Sequence, residues 1–151
     1  MARLVWALLC QRSIVDKASN NLSVIDVVED VQVRLRMEAG KPFTGVKLPM
    51  TVSQVSLWER SDLKKEEPEG RYQARIMSVD GKELGRLERS FAMTGANLRA
   101  RTVLDIQNLP ILKSGRYEVQ IFNQAGKRWV RSAVLPINVT VSIEESAAEG
   151  N

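Results

Sequence analysis

No histidine occurs among the 151 residues, and Cys10 is the only cysteine. The first absence removes the commonest general base, the commonest metal ligand and the usual proton switch near neutral pH. Neither a serine–histidine nor a cysteine–histidine nucleophile can be assembled. The second absence rules out an intramolecular disulfide, so the fold must stand on packing. Together the two leave almost nothing from which to build a zinc site. Aromatic residues make up only 5% of the chain, few for a surface that stacks bases. No segment approaches the ~20 apolar residues of a membrane helix. There is also no GxGxxG and no phosphate loop.

What is present is period-two alternation. Tyr117, Val119 and Ile121 fall on one parity, with Arg116, Glu118 and Gln120 on the other; 98–106 and 137–143 repeat the pattern. Such strands have one buried and one wet face and favour an antiparallel sheet. The pattern predicts strands over 3–11, 22–36, 50–60, 71–79, 84–93, 98–107, 116–123, 128–135 and 137–144. The last two read as one strand broken at Leu135-Pro136, where proline cannot donate. In 22–36 the residues Ile25, Val27, Val31, Val33 and Leu35 share one parity, with Glu29 the odd member at a bulge. Asp80-Gly81 and Ala125-Gly126 read as hairpin turns, 16–21 as a polar loop and 63–70 as a solvated charged loop. An internal similarity at offset 45 relates Gly70-Arg71-Tyr72 to Gly115-Arg116-Tyr117; duplication and convergence on the same turn chemistry both explain it.

The expected fold is an all-β, antiparallel Greek-key sandwich of about eight or nine strands, immunoglobulin-like, with a C2-like sandwich as the alternative. The expected organisation is a single domain over 1–144, followed by a flexible acidic tail at 145–151. The apolar opening Leu4–Cys10 has the outline of a secretion signal, but a buried first strand explains it better. The cytoplasm is the expected location.

Chemistry-bearing groups are sparse. Asp26 and Asp30, on one strand, would stand ~13 Å apart, too far for a paired-carboxylate site. The loop residues Asp16, Asp62 and Asp80 occur singly, whereas calcium needs converging oxygens. Cys10, in a core strand, would be inert, and Asn138-Val139-Thr140 matches a glycosylation acceptor by chance. The one positive hint is basic charge. Residues 1–70 balance at zero, 71–131 carry twelve bases against five acids, and 132–151 carry three acids and no base. The candidate anion- or partner-binding residues are Arg71, Arg75, Arg99, Arg101, Arg116, Arg128 and Arg131, which would form one patch if their strands were neighbours. Outward arginines also serve as edge protection and solubility.

Two resemblances attach to particular residues. Leu112-Lys113-Ser114-Gly115-Arg116-Tyr117 resembles the tyrosine corner of immunoglobulin-like sandwiches, in which the tyrosine bonds back to the preceding backbone. Trp58 stands where such domains bury a tryptophan, but Val119 occupies the usual cysteine position, so antibody-type membership is not implied. The opening Leu8-Leu9-Cys10, Asp16-Lys17 and 20–27, with Gly115-Arg116-Tyr117 and Leu135-Pro136-Ile137, looks like an uncharacterised family of small bacterial proteins. That resemblance implies a bacterial, cytosolic β protein and carries no activity or site. The chain is therefore expected to be a non-enzymatic protein-interaction or accessory module without cofactor, metal, membrane or small-molecule substrate. Its expected partner is a protein or a second copy, with Val28 and Val103 on the wet face as interface residues. Nucleic-acid or polyanion binding is the alternative.

Overall fold

The structure, a computed structural model, describes residues 2–60, 69–93 and 99–146. These form strands β1 (Ala2–Val15), β2 (Leu22–Val27), β3 (Asp30–Glu38), β4 (Val46–Lys47), β5 (Val52–Arg60), β6 (Glu69–Met77), β7 (Glu83–Ala92), β8 (Arg99–Ile106), β9 (Pro110–Ile111), β10 (Gly115–Ala125) and β11 (Arg128–Ser146), and no helix. The charged loop expected over 63–70 lies outside the described residues except at its end, where β6 begins.

One sheet has the order β2-β1-β5-β8, a second the order β3-β11-β10-β6-β7, and β4 pairs with β9. Every pair is antiparallel except β3–β11, which is parallel. The chain is all-β, and its packing is consistent with a β-sandwich. Leu9, Val52, Trp58 and Leu104 of the four-stranded sheet share one core with Val33, Tyr72, Tyr117, Val119, Ile121 and Ile137 of the five-stranded sheet. Trp58 is fully buried at its centre, 5.2 Å from the Tyr72 ring and 5.1 Å from Phe91. Its indole N–H donates to Ser56 Oγ at 3.0 Å and Thr102 Oγ1 at 3.1 Å, so the polar edge enters the core satisfied.

The expected hairpins form. β6 turns into β7 through Asp80-Gly81, and β10 turns into β11 through Gly126; both glycines have positive φ. The two segments related at offset 45 are β6 and β10, which are neighbours in one sheet. The Tyr117 hydroxyl accepts from Leu112 N–H at 3.1 Å and Lys113 N–H at 3.3 Å and donates to the Lys113 carbonyl at 2.8 Å. One side chain thus fastens the turn that leads into β10.

Several expectations are corrected. The run 22–36 is not one strand: β2 and β3 belong to different sheets, and the chain crosses between them at Val28-Glu29. Asp26 takes φ +53° before the crossing; Val28 N–H then donates to the Leu9 carbonyl, and the Glu29 carbonyl accepts from Asn138 N–H, each at 2.8 Å. The shared parity is no sign of a shared face: Val27 lies on the outer side of the four-stranded sheet, 55% exposed, whereas Val31 and Val33 lie in the core, so alternation alone cannot reveal the change of sheet. Val28 is consequently a core residue, 7% exposed, and not on the wet face; Asp26 and Asp30 do not share a strand.

The last two predicted strands are one. β11 runs unbroken through Pro136, opposite Glu118 of β10. Asn138 uses its N–H toward the β3 side, and Pro136 has the same parity. Its missing donor therefore points to where β3 has not yet begun, the setting in which a sheet tolerates proline. β11 also continues through Ser146, paired with Glu38 of β3, two residues into the segment expected as tail.

Candidate functional site

The register of the four-stranded sheet assigns its outer face. Val55 lies between Leu8 and Val103, Leu57 between Trp6 and Arg101, and Ser53 between Cys10 and Asp105; Val27 pairs with Cys10 on its other side. Trp6, Leu8, Cys10, Val27, Val55, Leu57 and Val103 therefore line one face. None of them belongs to the core between the sheets, which takes Leu9, Gln54 and Leu104 from the opposite face. Seven apolar side chains form a second layer, over which the β1–β2 turn reaches as far as Arg101 through the Asn20 carbonyl. Its centre is tight, with Cys10 and Val55 at 0% exposure, while its margins are open, with Val27 at 55% and Val103 at 44%. Antiparallel sheets ordinarily present a polar face to water; here that side is apolar, closed off at its centre within the chain, and exposed only at its margins.

Charged groups frame it. Glu59 accepts from Arg3 at 2.9 Å and lies 3.5 Å from Arg99. At the opposite end Asp105 accepts from Ser53 Oγ at 2.7 Å. Arg101 donates to the Asn20 carbonyl at 3.3 Å. Burial raises the Cys10 thiol pKa, so the one cysteine in this layer is protonated at neutral pH and a poor nucleophile.

The seven candidate arginines are divided between the two sheets. Arg99 and Arg101 are on β8, in the four-stranded sheet; Arg71, Arg75, Arg116, Arg128 and Arg131 are in the five-stranded sheet. On the latter's outer face each well-placed guanidinium has a local partner. Arg71 pairs with Glu88 and approaches the Trp129 ring at 6.0 Å. Arg75 bonds Gln73 at 3.0 Å and stacks 3.8 Å from the Phe122 centroid. Arg116 meets Glu118 at 3.3 Å. A bulge between Ile121 and Phe122 sets Arg131 beside Phe122, whereas Arg128 stands at the hairpin end with the other parity. These pairs cover the aromatic faces and offset the positive charge. The loop acids are dispersed: Asp16 caps its own turn through Ala18 and Ser19 N–H at 2.7 and 3.0 Å, Asp80 holds Lys113 at 2.7 Å, and Asp62 lies outside the described residues.

Three carboxylates are held below their usual range: Asp16 by the Ser19 and Ala18 backbone N–H groups, Glu59 by Arg3, and Glu88 by the Gln73 amide and then Arg71. A depressed folded-state pKa contributes stability above the unfolded value, lost as pH falls through the folded one. Cys10 and Tyr72, both raised by burial, act oppositely: their contribution is whole below the unfolded pKa and is lost as pH climbs through the folded one. With no histidine between these limbs, the thermal midpoint is expected to be level from about pH 6 to 8 and to fall below about pH 4. Differential scanning fluorimetry across pH 3–10 checks this; a step between pH 6 and 7 would contradict it.

The apolar outer face is the feature that alternation misses. β1 is apolar on both parities, and Val55 and Leu57 extend the second parity into β5. That double pattern is the available signal, and among these side chains only Val103 is expected in advance at an interface. No protein-family profile matches the chain, and a search of curated proteins finds no match.

Proposed function

We propose that this chain is a non-enzymatic protein-interaction module, an immunoglobulin-like Greek-key sandwich that works in the bacterial cytoplasm by docking another protein surface at the exposed apolar margin beside Val103 of its four-stranded sheet. The observation that carries this reading is the exposure of Val103 and Val27, aliphatic side chains left open at the margins of an apolar layer whose centre, Cys10 and Val55, the chain already covers. Exposed aliphatic side chains bordered by charged groups, as Val103 is by Arg101 and Asp105, are a mark of a protein interface. The buried Trp58 and the backbone-bonded Tyr117 favour the immunoglobulin-like form. Polyanion binding draws less support, because Arg71, Arg75, Arg99 and Arg116 all lie within 4.0 Å of a carboxylate.

The test uses thiol labelling, since Cys10 is buried and contributes little background. Val103→Cys and, as an exposed reference, Lys127→Cys are labelled with a permeant maleimide inside cells and as purified protein at nanomolar concentration. The ratio of the Val103→Cys rate to the Lys127→Cys rate is expected to be at least about tenfold lower in cells, as burial under a partner would require. Equal ratios in the two settings would refute a covered margin.

A further inference from the structure

We infer that the free edge of β3 takes up an extended, acidic segment of a partner protein as an added strand. This site is separate from the Val103 margin, which belongs to the other sheet. β3 ends the order of the five-stranded sheet and is bonded on one side only, to β11. The parallel register sets Asn138 opposite Asp30, and Asn138 N–H donates to the Glu29 carbonyl. Val31, Val33 and Leu35 therefore turn their backbone N–H and C=O toward β11. Asp30, Gln32, Arg34 and Arg36 turn theirs away, to a side where no strand lies among the described residues. Pairing with β11 runs without a shift of register over Asp30–Glu38, and the strand holds no proline. The devices that usually blunt an edge, bulge and proline, are thus missing from β3.

A cleft of about 270 Å³ lies beside that edge, between 31–35 of β3 and the segment 46–50. Val33 and Leu48 are buried in it, and Leu35, Val46 and Met50 are half-buried along it. A strand bonded to β3 alternates its side chains, so every second one enters the cleft while the others stand outside with Gln32 and Arg34. In strand addition the main chain supplies affinity, and pockets for alternate side chains supply specificity. Charge selects the occupant. Arg34 and Lys47 are exposed on the cleft wall, and neither has a carboxylate partner among the described residues. Arg36, by contrast, lies 3.8 Å from Glu144, and Arg71 and Arg116 of the same sheet are also paired. Uncompensated cations beside an apolar cleft favour a segment that alternates aliphatic with acidic residues and repel a basic one.

The probe is a fluorescein-labelled, amidated octapeptide that alternates valine with glutamate, titrated with the full chain by fluorescence anisotropy up to about 1 mM. Saturable binding is expected, weakened at least about tenfold by Arg34→Glu with Lys47→Glu. Both sites are exposed, so this variant should keep the wild-type circular dichroism spectrum. It should also prefer a valine–lysine peptide, a reversal that loss of folding cannot produce. Gln32→Pro removes an N–H that faces the open edge and not β11, and should abolish binding, as should N-methylation of the peptide backbone. The inference is overturned by wild-type protein that binds no peptide at about 1 mM, by equal affinity for the glutamate and lysine peptides, or by an N-methylated peptide that binds as well. A dimer in sedimentation velocity that Gln32→Pro dissolves also overturns it, since a second copy then occupies the edge. None of these results bears on the Val103 margin, which the thiol-labelling ratio tests by itself.

Discussion

Trp58→Ala is expected to cost about 3–5 kcal/mol, the range for deleting a buried aromatic side chain from a core. The indole bridges the two sheets through its contacts with Tyr72 and Phe91, so its loss opens a cavity that neither sheet can close alone. In a domain of this size the thermal midpoint should fall by roughly 6–20 °C. Trp58→Phe separates packing from hydrogen bonding. It keeps a six-membered ring in the stack, leaves the space of the second ring unfilled, and removes the donor to Ser56 and Thr102, which already bond each other at 2.6 Å. Its expected loss is about 1–2 kcal/mol, because those hydroxyls keep a partner. Urea unfolding of both variants makes the comparison; equal losses would show that the indole N–H, and not the stacked ring, dominates.

Gly115→Ala should be nearly as damaging, about 2–4 kcal/mol, through two effects at one site. Gly115 has φ +145°, a region that residues with a Cβ rarely adopt, and an added Cβ would stand 2.8 Å from both methyl groups of Val79. The residue opens β10 two positions before Tyr117, so displacement there also pulls on the hydroxyl that fastens Leu112 and Lys113. Gly126→Ala is the control: φ is +61°, but nothing lies within 4 Å of its added Cβ. It should lose only the backbone component, about 1–2 kcal/mol. If the two alanine variants unfold at the same urea concentration, the clash with Val79 is relieved at no cost, contrary to expectation.

Much of this fold was legible because local rules and global packing agree. Tyr117, Val119 and Ile121 alternate and are buried; Gly81 and Gly126 sit in turns that need them; Trp58 is central. The misreadings share a cause. Parity reports which side of a strand a residue occupies, but not which sheet the strand joins or what lies against that side. Ile25 and Val31 keep step across a change of sheet, so 22–36 reads as continuous. Arg101 and Arg75 are both outward, yet on different sheets, a separation set by strand order. Val46–Lys47 and Pro110–Ile111 are too short to show any period. The second apolar layer escaped because β1 is apolar at nearly every position, which reads simply as burial and conceals that two distinct surfaces must be covered.

The parallel pairing of β3 with β11 bears on how the molecule comes into being. Asp30 and Asn138 are 108 positions apart, and β11 is the last strand described. On the ribosome β3 emerges well before β11 and waits, its backbone donors and acceptors exposed, until the later strand has been made. Closing so long a loop is entropically slow, so docking of β11 onto β3 belongs to the late stages of folding. Nascent chains stalled before residue 138 should therefore carry an unclosed edge ready to capture another strand, making premature termination more hazardous for this protein than most single substitutions within it.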